Sequence, residues 1–172
     1  MSPSISVTFE QPLAIQSASQ GARLGLAAGV ESPKTLTIFI VDDSELFQFY
    51  LKGFLKNYFA QKSLKAKKDL QSVPQSDQIK VYQFLNGTEA IQNLWRNPDV
   101  VLLDFYLDSD VDGQNRNGDW VYEQIKIASP DSRVIMLSSA TDPDIIVRMV
   151  KLGLRDYVLK DLDHLQDLGQ YL

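Results

Sequence analysis

The chain has 172 residues, 44% of them hydrophobic and 23% charged, which is enough for one well-buried core and too little for two comfortable domains. Its net charge of -5 offers no broad basic surface to a nucleic-acid backbone, and the lack of cysteine excludes a disulfide framework and thiolate chemistry. A single histidine, His164, excludes a His-rich zinc site, and the sequence holds neither a membrane-length apolar run nor a secretory signal, so a cytoplasmic protein with no direct nucleic-acid or membrane contact is expected.

Residues 1–34 carry Ser, Gln, Gly and Ala with few large apolar groups and read as a mobile N-terminal arm, leaving 35–172 as the folded domain. Leu36, Ile38, Phe39, Ile40 and Val41 then form a short β-rich run, a buried strand that ends at Asp42 and Asp43. Ser44 caps a first helix in which Leu46, Phe47, Tyr50, Leu51, Phe54, Leu55 and Tyr58 recur at three- and four-residue spacing. Residues 61–78 hold Lys62, Lys65, Lys67 and Lys68 before Ser, Pro and Gln, the pattern of a frayed helix end passing into an extended basic and polar loop insertion.

Residues 79–84 alternate as a second strand, and Asn86-Gly87-Thr88 turns into a helix bearing Ala90, Ile91, Leu94 and Trp95. Residues 100–103 make a third strand ending at Asp104; its helix begins near Gly118, with Trp120, Val121 and Ile125 facing inward. Residues 134–137 form a fourth strand ending at Ser138. Asp142 as cap and Pro143 as first helical residue open a fourth helix through Ile145, Ile146, Met149 and Val150, closed by Gly153. Tyr157 to Leu159 is a fifth strand followed by Lys160, and Leu162, Leu165, Leu168 and Leu172 mark a short fifth helix with an apolar edge. Five βα units of this length predict an α/β, doubly wound, five-stranded parallel sheet, with any ligand outside the carboxyl ends of the strands.

Asp42, Asp43, Asp104, Ser138 and Lys160 all fall at that edge. With strand order 2-1-3-4-5, strands one and three are neighbours and three carboxylates converge. Two carboxylates about 4 Å apart repel by roughly 4 kcal/mol at an effective dielectric of 20, so three ionised together call for a cation. An all-oxygen cluster selects a hard ion, and Mg2+ commonly binds through one or two carboxylates, water and a phosphate oxygen. The set fits phosphoryl transfer in which Asp104 attacks phosphorus and the developing charge is met by Mg2+, Lys160 and the Ser138 hydroxyl. No histidine or further carboxylate nearby in sequence stands ready to activate water, which favours a lasting acyl phosphate and a switch over a catalyst.

The motifs Ile-Val-Asp-Asp-Ser at 40–44, Val-Val-Leu-Leu-Asp at 100–104, Val-Ile-Met-Leu-Ser at 134–138 and Gly-Leu-Arg-Asp-Tyr-Val-Leu-Lys at 153–160 resemble those of response-regulator receiver domains, from Thr35 to Lys160. The resemblance implies a flavodoxin-like receiver fold with Asp104 as phosphoacceptor, Asp43 as direct Mg2+ ligand, Asp42 holding a metal-bound water and the Tyr106 backbone carbonyl completing the protein ligands. It further implies that Ser138 is the switch hydroxyl, Tyr157 the aromatic that changes rotamer with it, and Lys160 the phosphate-binding lysine. Implied partners are a histidine kinase or phosphotransfer protein as donor and a downstream protein docking on the fourth helix, fifth strand and fifth helix. A homodimer through the leucines of that face is a further expectation. Small phosphodonors should label Asp104, with slow self-dephosphorylation, and no output domain follows in this sequence. Three departures stand out: Asp161 replaces a proline common after the lysine, which argues against a cis peptide there, the loop after Asp104 is longer than usual, and Tyr106 is larger than many residues at its position.

Four other readings compete. The loop from Asp108 through Asp110 and Asp112 to Asp119 imitates a calcium loop, yet a strand precedes it, Asn115 stands where an apolar residue belongs and Asp119 is shorter than the usual Glu; a solvated acidic loop is the simpler expectation. A haloacid-dehalogenase-like phosphohydrolase would need an acid/base Asp two residues after its nucleophile, where this chain has Tyr106. The chain could also be the receiver portion of a longer regulator, or a receiver-fold binding module that is never phosphorylated.

Overall fold

The computed structural model describes residues 35–69, 78–108, 113–114, 116–139, 143–161 and 164–172, with backbone alone at 66–69 and 164. The expected N-terminal arm, Asp110, Asp112, Asn115, Asp142 and Leu162 lie outside the described residues. Five parallel strands form one sheet in the order β2-β1-β3-β4-β5: β1 Leu36–Val41, β2 Ile79–Phe84, β3 Val100–Asp104, β4 Arg133–Ser138 and β5 Asp156–Leu159. The connecting helices are α1 Glu45–Asp69, α2 Gly87–Gln92, α3 Gly118–Ala128 and α4 Pro143–Lys151, and a 3-10 helix spans His164–Gln170. No helix among the described residues is long and apolar enough to cross a membrane.

Successive side chains of a strand point to opposite faces, and here each face has its own core. Phe39, Val41, Val101, Leu103, Val134 and Met136 pack with residues of α2, α3 and α4, including Ala90, Val121, Ile125 and Met149. Ile38, Ile40, Val100, Leu102, Ile135, Leu137 and Val158 pack against Leu51, Leu55 and Phe59 of α1 and Leu165 and Leu168 of the closing helix. Strands covered on both faces need continuous apolar runs, which is why β1, β3 and β4 carry no internal charge.

Several expectations need correction. α1 runs to Asp69, so residues 61–69 are helical rather than a frayed end and loop; lysine is a good helix former, and cations are favoured near a helix C-terminus. Residues 70–77 of the expected insertion lie outside the described residues. The inward stripe of α1 is Gln48, Leu51, Leu55 and Phe59, whereas Leu46 and Tyr50 are exposed. Apolar groups occur all round this helix, so their spacing does not fix its phase. Trp95 and Val150 also face solvent, at 69% and 62% exposure. The leucine edge expected to serve a dimer is committed to the core, with Leu165 at 5% and Leu168 at 0% exposure beneath the sheet beside α1, and the Tyr58 hydroxyl locks this helix by donating to the Gly169 carbonyl at 2.6 Å.

Candidate acidic site

Register sets the site. Val41 pairs with Leu103, Asp104 with Leu137 and Ser138 with Leu159, so the carboxyl ends of β1, β3, β4 and β5 finish level and their next residues share one rim. Asp42, Asp43 and Asp104 each offer a carboxylate oxygen within 4.8 Å of the others. Asp42 and Asp104 are buried, at 1% and 3% exposure, and Ser138 is fully buried.

Local turns hold the acids. Asp42 Oδ1 accepts from the Ser44 amide at 2.9 Å, and Ser44 caps α1 as its hydroxyl accepts from the Phe47 amide at 3.3 Å. Asp43 Oδ2 accepts from the Asp108 amide at 3.1 Å, which ties the start of the long loop back to β1. Asp104 Oδ1 accepts from the Tyr106 amide at 3.3 Å, while the other carboxylate oxygen takes the Lys160 ammonium. Lys160 also lies 2.8 Å from Asp42 Oδ2 and 4.7 Å from the centre of the Phe47 ring, and its amide donates to the Ser138 carbonyl at 3.0 Å. Its position therefore follows from the β4–β5 ladder and from α1.

Burial pushes the Asp104 carboxyl up to about 6, against the opposing pull of Lys160 and with the Asp42 charge adding to the rise. Burial likewise raises Asp42, with the Lys160 and Ser44 hydrogen bonds holding it back. For Lys160, burial alone would lower the ammonium, but the hydrogen bonds and charges of Asp104 and Asp42 together outweigh it and the net shift is upward. One cation thus sits among three carboxylates, and burial, with a smaller contribution from the neighbouring acid, is what raises Asp42 and Asp104.

These residues fit a hard divalent cation. Asp42 Oδ2 is buried and, beyond its 2.8 Å contact with the Lys160 ammonium, has no hydrogen-bond partner among the described residues. All three groups are carboxylates, the donor type that suits Mg2+ over softer metals.

The other expected site residues fall differently. Tyr157 is half-buried against the α2–α4 core. Tyr106 turns its side chain to solvent at 47% exposure. Asp119, expected as the twelfth position of a calcium loop, is paired with Arg148 of α4 and accepts from the Trp120 amide, and neither it nor Asp108 joins the acidic cluster. Two contributors were not foreseen. Gln48 is a polar residue on the buried stripe of α1, a signal hidden by the ambiguous phase of that helix. Gly118 packs so closely under Asp104 and Phe105 that an added Cβ would lie 2.5 Å from the Asp104 carbonyl oxygen; a glycine at a helix start carries no sequence mark of such a contact.

The response regulator receiver domain family matches residues 63–171 of this chain. The chain belongs to that family. The match covers Asp104, Ser138, Tyr157 and Lys160 and starts inside α1, so Asp42 and Asp43 rest on the pairing of β1 with β3. Chemotaxis protein CheY of Listeria monocytogenes is 25% identical over 125 residues, covering 73% of this receiver and 86% of CheY. Response regulator protein VraR of Staphylococcus saprophyticus is 26% identical over 126 residues, covering 73% of this receiver but only 49% of VraR. A crystal structure of a response regulator from Thermotoga maritima is 27% identical, with a TM-score of 0.54 over 80% of this chain and 93% of that one. Receivers are signalling domains of two-component systems, in which the strand-end acids characteristically bind Mg2+.

Proposed function

We propose that this receiver is phosphorylated on Asp104 in a Mg2+-dependent reaction, taking its phosphoryl group from a histidine kinase or phosphotransfer protein in the cytoplasm and signalling by protein contact, alone or as part of a longer regulator. The observation that carries this reading is the convergence of a buried Asp104 with Asp42, Asp43 and the Lys160 ammonium.

An oxygen of the Asp104 carboxylate would bond to phosphorus as the bond from phosphorus to the donor's nitrogen or oxygen breaks, and the donor leaves with that electron pair. Asp42, Asp43 and Asp104, joined by the Tyr106 carbonyl, would hold Mg2+, which supplies positive charge to the phosphoryl oxygens when bound. Lys160 would exchange its contact with Asp104 for a phosphoryl oxygen. Ser138 would donate its hydroxyl to another, and Tyr157 would turn inward as the rim contracts. The face of α4, β5 and the closing helix then presents the change to a target; with Leu165 and Leu168 buried, Val147 and Val150 of α4 are the exposed large apolar groups of these elements among the described residues.

Acetyl phosphate should label the wild type in Mg2+ and fail to do so in EDTA or in Asp104→Asn. A wild type that stays unlabelled with Mg2+ present would sink the proposal. Tyr106, two residues after Asp104 with its side chain turned to solvent, offers no general base to water, so Tyr106→Asn should shorten the life of the acyl phosphate several-fold by placing there an amide that orients water. Decay of the labelled protein after removal of phosphodonor measures this, and an unchanged half-life would remove Tyr106 from control of the lifetime.

A further inference from the structure

We infer that Gln48 is a positioning residue for the metal-binding carboxylates, acting through the peptide that joins Asp42 to Asp43; this rests on the function proposed above. Gln48 lies on the buried stripe of α1 between the β1 and β2 ends and is 3% exposed. Its amide nitrogen donates to the Asp42 carbonyl at 2.6 Å and to the Phe84 carbonyl at 2.8 Å. Phe84 also accepts from the Asp42 amide at 3.1 Å.

The β1–β2 ladder pairs residues up to Val41 and Phe84, after which the chain must leave the sheet to present two acids. A carbonyl that loses its ladder partner inside a protein needs another donor. Gln48 supplies it from the neighbouring helix and acts as one more rung beyond the last strand pair. The Asp42 carbonyl belongs to the planar unit that carries the Asp43 nitrogen and Cα, so fixing that oxygen fixes the path of the backbone into Asp43. The Asp42 side chain is set separately by the Ser44 amide, and that of Asp43 by the Asp108 amide. With Gln48 in place, both carboxylates leave a backbone that cannot rotate, and ligand orientation by such outer partners governs metal affinity.

The test is a calorimetric Mg2+ titration of the full chain, comparing wild type, Gln48→Met, Gln48→Lys and Leu55→Ala. Methionine keeps length and burial but has no donor; lysine keeps one donor of sufficient reach. Leu55→Ala removes core packing about two turns further along α1 and controls for lost stability. Gln48→Met should weaken Mg2+ binding by about 10–100-fold, whereas Leu55→Ala should stay within about twofold of wild type, and Gln48→Lys should recover much of the loss. Should Gln48→Met fail to fold, recovery in Gln48→Lys is judged against Gln48→Leu under the same conditions, and equal affinity in any folded donor-free variant and the wild type overturns the positioning role. A wild type with no saturable Mg2+ binding overturns the reading of the site itself, and the positioning role with it.

Discussion

In metal-free buffer at pH 8, Asp104→Asn should unfold at higher temperature than the wild type. Folding moves the Asp104 carboxyl from 3.8 to about 6, chiefly by taking it out of water. About two units correspond to about 3 kcal/mol, an upper bound because the same substitution deprives Lys160 of one of its two partners. Between the two values the folded protein holds a proton that the unfolded chain has released, so stability falls as pH rises from about 4 to about 6 and stays low above it. Lys160 shifts in the other sense for stability: its raised value contributes at every pH below the ordinary lysine range and fades only above it, leaving the acid window unaffected. The amide of Asn has no charge to desolvate, so the variant should lose most of this pH dependence. Denaturant unfolding at pH 4 and pH 8 measures it: the two proteins should converge at pH 4 and separate at pH 8. Equal stability at both would mean that Asp104 is not strained by its burial.

Mg2+ should narrow that difference. A ligand that binds only the folded state stabilises it by about 2.7 kcal/mol at a hundred times its dissociation constant. The wild type should gain this, whereas Asp104→Asn, with one carboxylate fewer, should gain less. The cost of burying the metal-free carboxylates and their capacity for a cation are then two aspects of one buried cluster.

Most of this was legible in the sequence because it follows from local pattern. Strand-length apolar runs alternating with helical spacing mark five βα units, the order 2-1-3-4-5 follows from the doubly wound type rather than from the pattern, and Asp42, Asp43, Asp104, Ser138 and Lys160 each stand where a run stops, at one rim in the fold. What stayed hidden depends on which way an element rotates or on how closely two backbones approach. Apolar side chains surround α1 and leave its phase open, so the sequence marks neither Gln48 as buried nor Leu46 and Tyr50 as exposed. The closing leucines looked available because nothing in the sequence says that Tyr58 of α1 and the underside of β5 cover them. The extension of α1 through Lys62 and Lys65 was hidden by reading charge as solvation when it was equally compatible with helix.

Two glycine substitutions should move stability in opposite directions. At Gly53, on the exposed side of α1, a new Cβ meets nothing within 4 Å. Gly53→Ala should therefore stabilise the protein by about 0.5–1 kcal/mol, the helix-propensity difference. The same propensity gain is available at Gly118, but there the Cβ would lie 2.5 Å from the Asp104 carbonyl oxygen and 2.8 Å from Phe105 Cα. Both are backbone atoms that cannot swing aside, and the Gly118 amide already donates to the Phe105 carbonyl at 2.7 Å. Overpacking of this kind costs about 1–3 kcal/mol, more than the propensity term, so Gly118→Ala should lower the unfolding midpoint. Its effect on labelling separates two ways of relieving the clash. If the first turn of α3 moves outward, Asp104 keeps its place and acetyl phosphate labels the folded variant at the wild-type rate. If the Asp104 peptide moves instead, the carboxylate is turned from Lys160 and labelling slows. We expect the second, because β3 is paired on both edges only as far as Leu103, and Asp104, where the strain falls, is paired with β4 alone. A Gly118→Ala protein as stable as Gly53→Ala would show that α3 does not press on the phosphoacceptor at all.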